Sequence, residues 1–260
     1  MDRPIGLFDS GFGGLTVMRE VARMLPRENL IYLGDTARLP YGNKSPQAVL
    51  QFALENGSFL MKKNIKLLLI PCHTACSHAL ESLQNELPIP VIGVIQPGVE
   101  LVKPFHRIAV LGTTGTIEAG IYQSLIRKQN PQATIYAKAC PLFVPLIEEG
   151  FYDHASAGLI AHSYLGPLKG QVDAVLLACT HYPLIRSTLQ KVLGPAVPLL
   201  EPASLCVALA REVLFKAGLL NMQKKKPIYK FFVTDDPTKF SRHGKIFFGA
   251  DIDTRLCTIL

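Results

Sequence analysis

The 260-residue sequence has little cysteine and no long apolar run, and both scarcities restrict the class of protein. Six cysteines are too few for a disulfide-stapled secreted domain. No stretch approaches the ~20 apolar residues that are needed to cross a bilayer. Near the N-terminus, Asp9 interrupts the apolar run Ile5-Gly6-Leu7-Phe8 before the hydrophobic region of a secretory signal can form. We therefore expect a reduced, cytoplasmic protein that does not associate with membranes.

Several common site signatures are also missing. Cys72 and Cys76 are spaced C-x3-C, but no second close pair completes a tetrahedral set, so we expect no metal. The glycines at 11, 13 and 14 lack the spacing of a dinucleotide-binding fingerprint and predict a tight strand-to-helix turn instead. No lysine stands in a motif that would announce a pyridoxal Schiff base.

The chain is basic, with a formal net charge of +7 and a pI near 9.1. Its only dense basic run, Lys224-Lys225-Lys226, falls in a predicted loop and is interpreted as a solvated turn. We therefore expect no nucleic-acid partner. A basic surface would also attract a small acidic substrate.

Apolar strand-like segments alternate with helix-length segments of mixed polarity along the chain. The segments with strand character are residues 5–8, 30–33, 67–70, 91–94, 108–111, 135–137 and 174–178. Those that start at residues 5, 67, 108 and 174 run into a small or polar turn and then a helix-like segment. This alternation predicts an α/β fold with largely parallel sheets flanked by helices.

One arrangement occurs twice in the chain and predicts two similar lobes. In each half, a strand that ends in a polar turn precedes a strand that ends in a cysteine. Pro and Gly in Ile95-Gln96-Pro97-Gly98 suggest a boundary, so we expect one lobe over residues 1–96 and another over 97–204. A helix-like segment at 205–220 and the tail return to the first lobe, which residues 205–260 complete. The active site is expected at the interface between the lobes.

Cys72-His73-Thr74 and Cys179-Thr180-His181 each follow an apolar strand. A cysteine between a strand and a helix faces the crevice in which α/β sheets bind ligands, and the helix N-terminus favours its thiolate. One free cysteine is more often a small buried hydrophobe, as we expect for the four others. Two in matching contexts suggest a racemase, in which one base removes a proton from one face of a carbon and a second acid protonates the opposite face.

Longer motifs surround these cysteines, in residues 6–16, 32–42, 140–150 and 178–184. Together they resemble the cofactor-independent glutamate racemases of the aspartate/glutamate racemase superfamily, and the similarity runs through most of the chain. The resemblance implies an enzyme that interconverts L-glutamate and D-glutamate without a cofactor. It also implies a bacterial role in supplying D-glutamate for peptidoglycan. The assembly is left open, with a homodimer as one candidate.

The resemblance implies specific roles for residues of the site. Cys72 and Cys179 would be the two acid/base groups, with Asp9 assisting the first and with Glu148 and His181 assisting the second. The expected substrate-binding residues are Ser10, Tyr41, Gly42, His73, Thr74, Thr113, Thr116 and Thr180. Because an unperturbed thiol has a pKa of ~8.5, the neighbours must hold one cysteine as thiolate and the other as thiol.

Some of these residues have an ordinary alternative. Ser10, Thr113 and Thr116 could act only as helix N-caps, a role that Ser and Thr often fill. Glu148 and Glu149 are adjacent carboxylates and could be a solvated pair before Gly150; the family spacing favours Glu148.

The chain departs from the family at His73, where Asn usually follows the first cysteine. Histidine is larger than Asn and can titrate near neutral pH, so it could lower the Cys72 pKa, bind a carboxylate differently or crowd the site. Substrate choice and rate are therefore open. Three other functions remain: a racemase of aspartate or another acidic substrate, a cysteine hydrolase with one Cys-His pair, and a binding protein that has lost turnover.

Overall fold

The computed structural model describes residues 2–259 and contains two parallel β-sheets. The strands are β1 (Ile5–Asp9), β2 (Leu30–Gly34), β3 (Leu67–Ile70), β4 (Val91–Gly93), β5 (Arg107–Gly112), β6 (Thr134–Ala139), β7 (Ala174–Ala178), β8 (Leu199–Leu200), β9 (Tyr229–Val233) and β10 (Thr254–Leu256). The larger sheet has the order β10-β9-β2-β1-β3-β4, and the smaller has the order β6-β5-β7-β8. Every strand pairing within residues 2–259 is parallel.

Helices connect the strands, as parallel pairing requires. They are α1 (Leu15–Met24), α2 (Pro46–Met61), α3 (His73–Glu86), α4 (Ile95–Val102), α5 (Thr114–Glu118), α6 (Ile121–Gln129), α7 (Phe143–Glu148), α8 (Ala155–Leu165), α9 (Arg186–Leu193), α10 (Ala203–Lys216) and α11 (Pro237–Phe247). The predicted α/β fold with parallel sheets is confirmed.

The strands β1, β2, β3 and β7 are buried along their whole length. Helices cover both faces of a parallel sheet, which is why these strands are almost continuously apolar in the sequence rather than alternating. Within residues 2–259, no helix combines the length and the apolar character that crossing a membrane demands. The exposed run Lys224-Lys225-Lys226 lies in the irregular segment between α10 and β9.

All seven predicted strands are present, but one predicted helix ends earlier than expected. The helix predicted over 205–220 ends at Lys216, because Gly218 takes a positive φ of 66° and Leu219 N–H bonds back to the Leu214 carbonyl at 2.8 Å. Residues 95–98, which contain Pro97 and Gly98, form the first turn of α4. The N–H groups of a first turn have no partner within the helix, so a proline at position 97 removes no helical hydrogen bond. The lobe boundary near this segment stays a prediction.

The two sheets divide the chain in a way that brings distant segments together. The larger sheet takes strands from residues 5–93 and 229–256, and the smaller takes strands from residues 107–200. Hydrogen bonds join the loops at their carboxyl ends, such as Thr180 Oγ1 to Asp9 Oδ2 at 2.9 Å and Thr74 Oγ1 with Thr113 Oγ1 at 2.8 Å. The carboxyl edges of the two sheets therefore face each other.

Candidate active site

A small cavity lies between the carboxyl edges of the two sheets, with a volume of about 20 Å³. Eleven of the thirteen residues predicted for the site line it: Asp9, Ser10, Tyr41, Gly42, Cys72, His73, Thr74, Thr113, Cys179, Thr180 and His181. The other two touch this lining, since Thr116 bonds to Thr74 and Glu148 bonds to His181. The cavity has room for about one water molecule.

Cys72 stands between β3 and α3, at the N-terminus of the helix. Its sulfur accepts a hydrogen bond from Ala75 N–H at 3.4 Å, so the thiol itself caps α3. Burial raises the pKa of Cys72 well above its usual value, and the Asp9 carboxylate raises it further. Cys72 is therefore held as a thiol at neutral pH.

Cys179 follows β7 and has a different set of partners. Its sulfur lies 3.9 Å from Nδ1 of His181, and Nε2 of His181 lies 2.9 Å from Oε1 of Glu148. Burial lowers the His181 pKa, but the Cys179 sulfur and the Glu148 carboxylate raise it and together outweigh burial, leaving it well above its usual value. The imidazolium form of His181 places a positive charge beside the Cys179 sulfur, whereas the negative charge near Cys72 is the Asp9 carboxylate.

Asp9 ends β1 and connects the two halves of the site. Oδ1 accepts from Ser10 N–H at 2.6 Å and from Ser10 Oγ at 3.3 Å, while Oδ2 accepts from Thr180 Oγ1 at 2.9 Å. Asp9 is 1% exposed, and these donors from both loops satisfy its buried oxygens. Ser10 lies in the turn before α1 and caps no helix, since α1 has Gly14 at its N-cap.

Three threonine hydroxyls form a triangle across the lobe interface. Oγ1 of Thr113 lies 2.8 Å from that of Thr74 and 3.0 Å from that of Thr116, and the third side measures 3.1 Å. Thr113 is also the N-cap of α5, where its hydroxyl accepts from Thr116 N–H at 3.3 Å. The triangle places several hydroxyl donors beside a helix N-terminus, an arrangement suited to a carboxylate.

His73 is buried and neutral. Its Nδ1 lies 2.8 Å from the hydroxyl of Tyr122, which belongs to α6 on the facing lobe. Burial lowers the pKa of His73 to about 3, so its ring carries no charge near neutral pH. It therefore supplies no positive charge to Cys72, and its contribution to the cavity is steric and through hydrogen bonds.

Tyr41 and Gly42 shape the wall opposite Thr113. The Tyr41 hydroxyl donates to the Asp35 carboxylate and accepts from Asn56 Nδ2 at 2.9 Å, so its polar atom is engaged away from the cavity. A Cβ on Gly42 would lie 2.5 Å from Cβ of Thr113. Gly42 therefore lets the first lobe approach Thr113 closely.

The two adjacent glutamates separate in the structure. Glu148 reaches His181, whereas Glu149 reaches Lys239 at 3.3 Å in an exposed ion pair. Successive residues of a helix point about 100° apart, so only one of them can reach His181. The carboxylate that contacts His181 is Glu148.

Sequence reasoning missed the role of Gly13. A Cβ on this residue would stand 2.2 Å from Oγ1 of Thr180 and 2.6 Å from Nδ1 of His181. The glycine was expected only to permit a tight turn, whereas it also makes room for the loop that carries the second thiol. Tyr122 was missed as well, because no motif surrounds it.

The site offers no clustered metal ligands. Among residues 2–259, no group of three or more His, Cys, Asp or Glu side chains has the geometry to hold a metal ion.

A structural role was expected for the cysteines outside the two motifs. Three of them are buried thiols: Cys76, Cys140 and Cys206. Burial raises the pKa of Cys140 and that of Cys206 to about 12 each.

Comparison with known proteins gives a consistent result. The family model for Asp/Glu/hydantoin racemase matches residues 5–210. A glutamate racemase from Geobacter metallireducens is 44% identical over 254 residues, covering 96% of this chain and 94% of that protein. A glutamate racemase from Francisella tularensis, solved in complex with D-glutamate, has a TM-score of 0.95 and 38% identity, covering 99% of this chain and 98% of that one.

Replacing Gly13 by Ala should destabilise the closed lobe interface. The added Cβ must push Thr180 and His181 away, and overpacking of this kind typically costs about 1–3 kcal/mol. For a chain of this size, each kcal/mol lowers Tm by about 2–4 °C. The measurement is thermal unfolding of both proteins in the same buffer.

The matched control is Gly158→Ala in α8, where an added Cβ meets nothing within 4 Å. Alanine favours a helix over glycine by about 0.5–1 kcal/mol, so this variant should melt at the same temperature as the parent or higher. A Gly13→Ala protein that melts with the parent would contradict the tight contact.

Proposed function

The chain belongs to the Asp/Glu/hydantoin racemase family and is an amino-acid racemase, and we propose that it interconverts L-glutamate and D-glutamate by proton transfer between Cys72 and Cys179. The observation that carries the proposal is that both cysteines line one cavity from opposite lobes, each with its own acid/base partners. Glutamate as the substrate is supported by the relatives and by the Francisella enzyme that holds D-glutamate.

The reaction needs one thiolate and one thiol at the start. The thiolate of one cysteine takes the α-proton as the Cα–H bond breaks, and the electron pair stays on carbon in a carbanion-like transition state. The thiol of the other cysteine then gives its proton to the opposite face of that carbon. The product has inverted configuration, and the protonation states of the two cysteines have exchanged.

The neighbours of the cysteines supply the unequal starting states. His181, held by Glu148, favours a Cys179 thiolate, whereas burial and Asp9 favour a Cys72 thiol. The α-hydrogen of an amino acid is far less acidic than a thiol, so the developing charge also needs stabilisation in a dry site. The hydroxyls of Thr74, Thr113 and Thr116 and the start of α5 are suited to receive a substrate carboxylate.

Substrate binding requires the cavity to widen, because about 20 Å³ does not accommodate an amino acid. A larger cleft of about 260 Å³ adjoins the cavity. Pro40, Gly42, Thr113 and Val144 line both spaces. We infer that these residues separate the entrance from the reacting thiols and that their displacement admits the substrate.

D-Glutamate is the product that we propose is used for peptidoglycan, in a cytoplasmic, cofactor-independent reaction. The cellular role can be tested in a bacterium that requires added D-glutamate for growth. Expression of the wild-type chain should restore growth without the amino acid, and expression of Cys179→Ser should not. Failure of a well-expressed wild-type protein would contradict the role. A homodimeric assembly also stays a prediction.

Replacing either cysteine by serine should abolish racemisation. A serine hydroxyl is a far weaker acid than a thiol, and one acid/base group typically contributes about 10²–10⁴-fold to the rate. The experiment incubates L- or D-glutamate with each protein in D2O, without cofactor, and follows α-deuterium incorporation and optical rotation. Cys257→Ser, a partly exposed cysteine outside the cavity, is the control and should keep wild-type activity.

Each of the alternative functions predicts a different result in these assays. Because His73 occupies the position of the usual Asn, aspartate is assayed in parallel, and exchange from aspartate alone would assign a different substrate. A hydrolase with one Cys-His pair would lose activity on an ester or amide mainly through one of the two substitutions. No exchange from either amino acid would favour a binding protein.

In Glu148→Gln, the upper limit of the pH range in which the enzyme is active should be lower than in the wild type. The His181 imidazolium persists up to its raised pKa, and loss of the Glu148 carboxylate removes one of the two contacts that raise it. His181 then loses its proton at lower pH, so the fall in kcat/KM on the alkaline limb should begin at lower pH. We expect a loss of about tenfold or more there, because one acid/base partner is weakened.

Glu149→Gln is the matched control, since it removes the neighbouring carboxylate, which lies on Lys239 rather than on His181. Its pH profile should superimpose on that of the wild type. Equal shifts in both variants would point to a general effect of surface charge and contradict the role of Glu148.

A further inference from the structure

His243 lies on α11 with both ring nitrogens against backbone carbonyl oxygens. Nδ1 is 2.8 Å from the carbonyl oxygen of Lys239, one turn earlier in the same helix. Nε2 is 2.7 Å from the carbonyl oxygen of Glu148, at the end of α7. The side chain therefore bridges the C-terminal helix and the residue whose carboxylate holds His181.

The chemistry of these contacts determines the charge of the ring. A carbonyl oxygen only accepts hydrogen bonds, and a neutral imidazole has a single N–H. A neutral ring would aim a lone pair at one of the two carbonyls, whereas an imidazolium donates to both. Because His243 is 8% exposed, solvent cannot easily replace the missing bond.

The surroundings of the ring also favour a cation. The ring of Phe12 stacks on it, with centroids 4.3 Å apart and planes 21° apart, a geometry that suits a cation–π contact. Glu148 contributes one of the last carbonyls of α7, which has no partner within that helix and carries partial negative charge.

Other charged groups border His243 on several elements. The surface cleft beside it is lined by Glu148 and Glu149 from the end of α7 and by Asp236, Lys239 and Arg242 from α11 and its N-cap. The elements α1 and β10 also pack on α11 and carry Arg19, Glu20, Arg23 and Arg255. Both acidic and basic side chains are therefore near His243, but the two carbonyl oxygens contact the ring directly.

We propose that His243 is a doubly protonated positioning residue, which fixes the backbone of Glu148 so that its carboxylate can hold His181. His243 does not touch the cavity and acts through Glu148. The proposal rests on the proposed function, since it matters for catalysis only if His181 serves Cys179. Helix α11 thereby affects the protonation of Cys179 through Glu148 and His181.

Ring protonation can be measured without any assay of activity. Long-range ¹H–¹⁵N correlation spectra of the full-length protein, labelled at histidine, distinguish imidazolium from either neutral tautomer. The His243 signal is identified by its absence in His243→Gln. We expect both ring nitrogens to be protonated at neutral pH. A neutral tautomer at that pH would overturn the proposal.

Kinetics then separates positioning from simple packing. His243→Gln keeps an N–H donor near the position of Nε2 and should stay close to wild-type kcat/KM. His243→Leu has no donor, so kcat/KM should fall about tenfold or more, as expected for a misplaced catalytic group, with the alkaline limb shifted as in Glu148→Gln. The double variant His243→Leu/Glu148→Gln should lose little beyond the worse single variant, because both act through one group.

Three results would contradict the proposal. A His243→Leu protein with lowered Tm but an unchanged pH profile would show that the ring only packs. Additive losses in the double variant would show independent action. If His243→Leu does not fold, the pH profile of His243→Gln decides. An alkaline limb shifted as far as that of Glu148→Gln would overturn the proposal.

His162→Gln, on α8, is the control for the substitution itself and should behave as wild type. Failure of the proposed function would be seen separately, as absence of racemisation by the wild-type enzyme. The ring-protonation measurement would still stand in that case.

Discussion

Gly13 lies where the turn after β1 meets the loop after β7, and a single Cβ there would overlap Thr180 and His181. This close approach lets Asp9 accept from Thr180, and it places the neighbouring Phe12 on the ring of His243. The turn thus contacts both the loop of the second thiol and the C-terminal helix. A shared cavity with residues from both lobes depends on the lobes meeting at this distance.

Burial sets the electrostatics of that cavity. An isolated carboxylate or thiolate in a dry interior is costly, so each charged group there must be paired or hydrogen-bonded. Asp9 meets this requirement through Ser10 and Thr180, and Glu148 through His181. Because Asp9 and Thr180 come from loops on different sheets, separating the lobes would expose the Asp9 carboxylate to water and weaken this interaction.

The sequence allowed the fold and much of the candidate site to be predicted, since buried parallel strands are apolar and functional loops follow them. The strands β8, β9 and β10 were not predicted. Strand β8 is only two residues long, and the charged Lys230 interrupts the apolar character of β9. Glu148 and Glu149 have the same chemistry. The family spacing favours Glu148, and the structure separates the two by their contacts with His181 and Lys239. Tyr122 and His243 come from helices without motifs, so only tertiary structure brings them to the site.

The unequal surroundings of the two thiols must be reconciled with a reaction between mirror images. Enantiomers have equal free energies in water, so kcat/KM must be the same in both directions, although the protein around them is not symmetric. In the proposed mechanism, the enzyme form with a Cys179 thiolate and a Cys72 thiol is ready for one enantiomer and must exchange protons before it can accept the other. The free-energy difference between those two enzyme forms therefore affects kcat and KM separately, while their ratio stays equal. The contacts of His181 with Cys179 and with Glu148 act on this difference, because they surround only one of the two thiols.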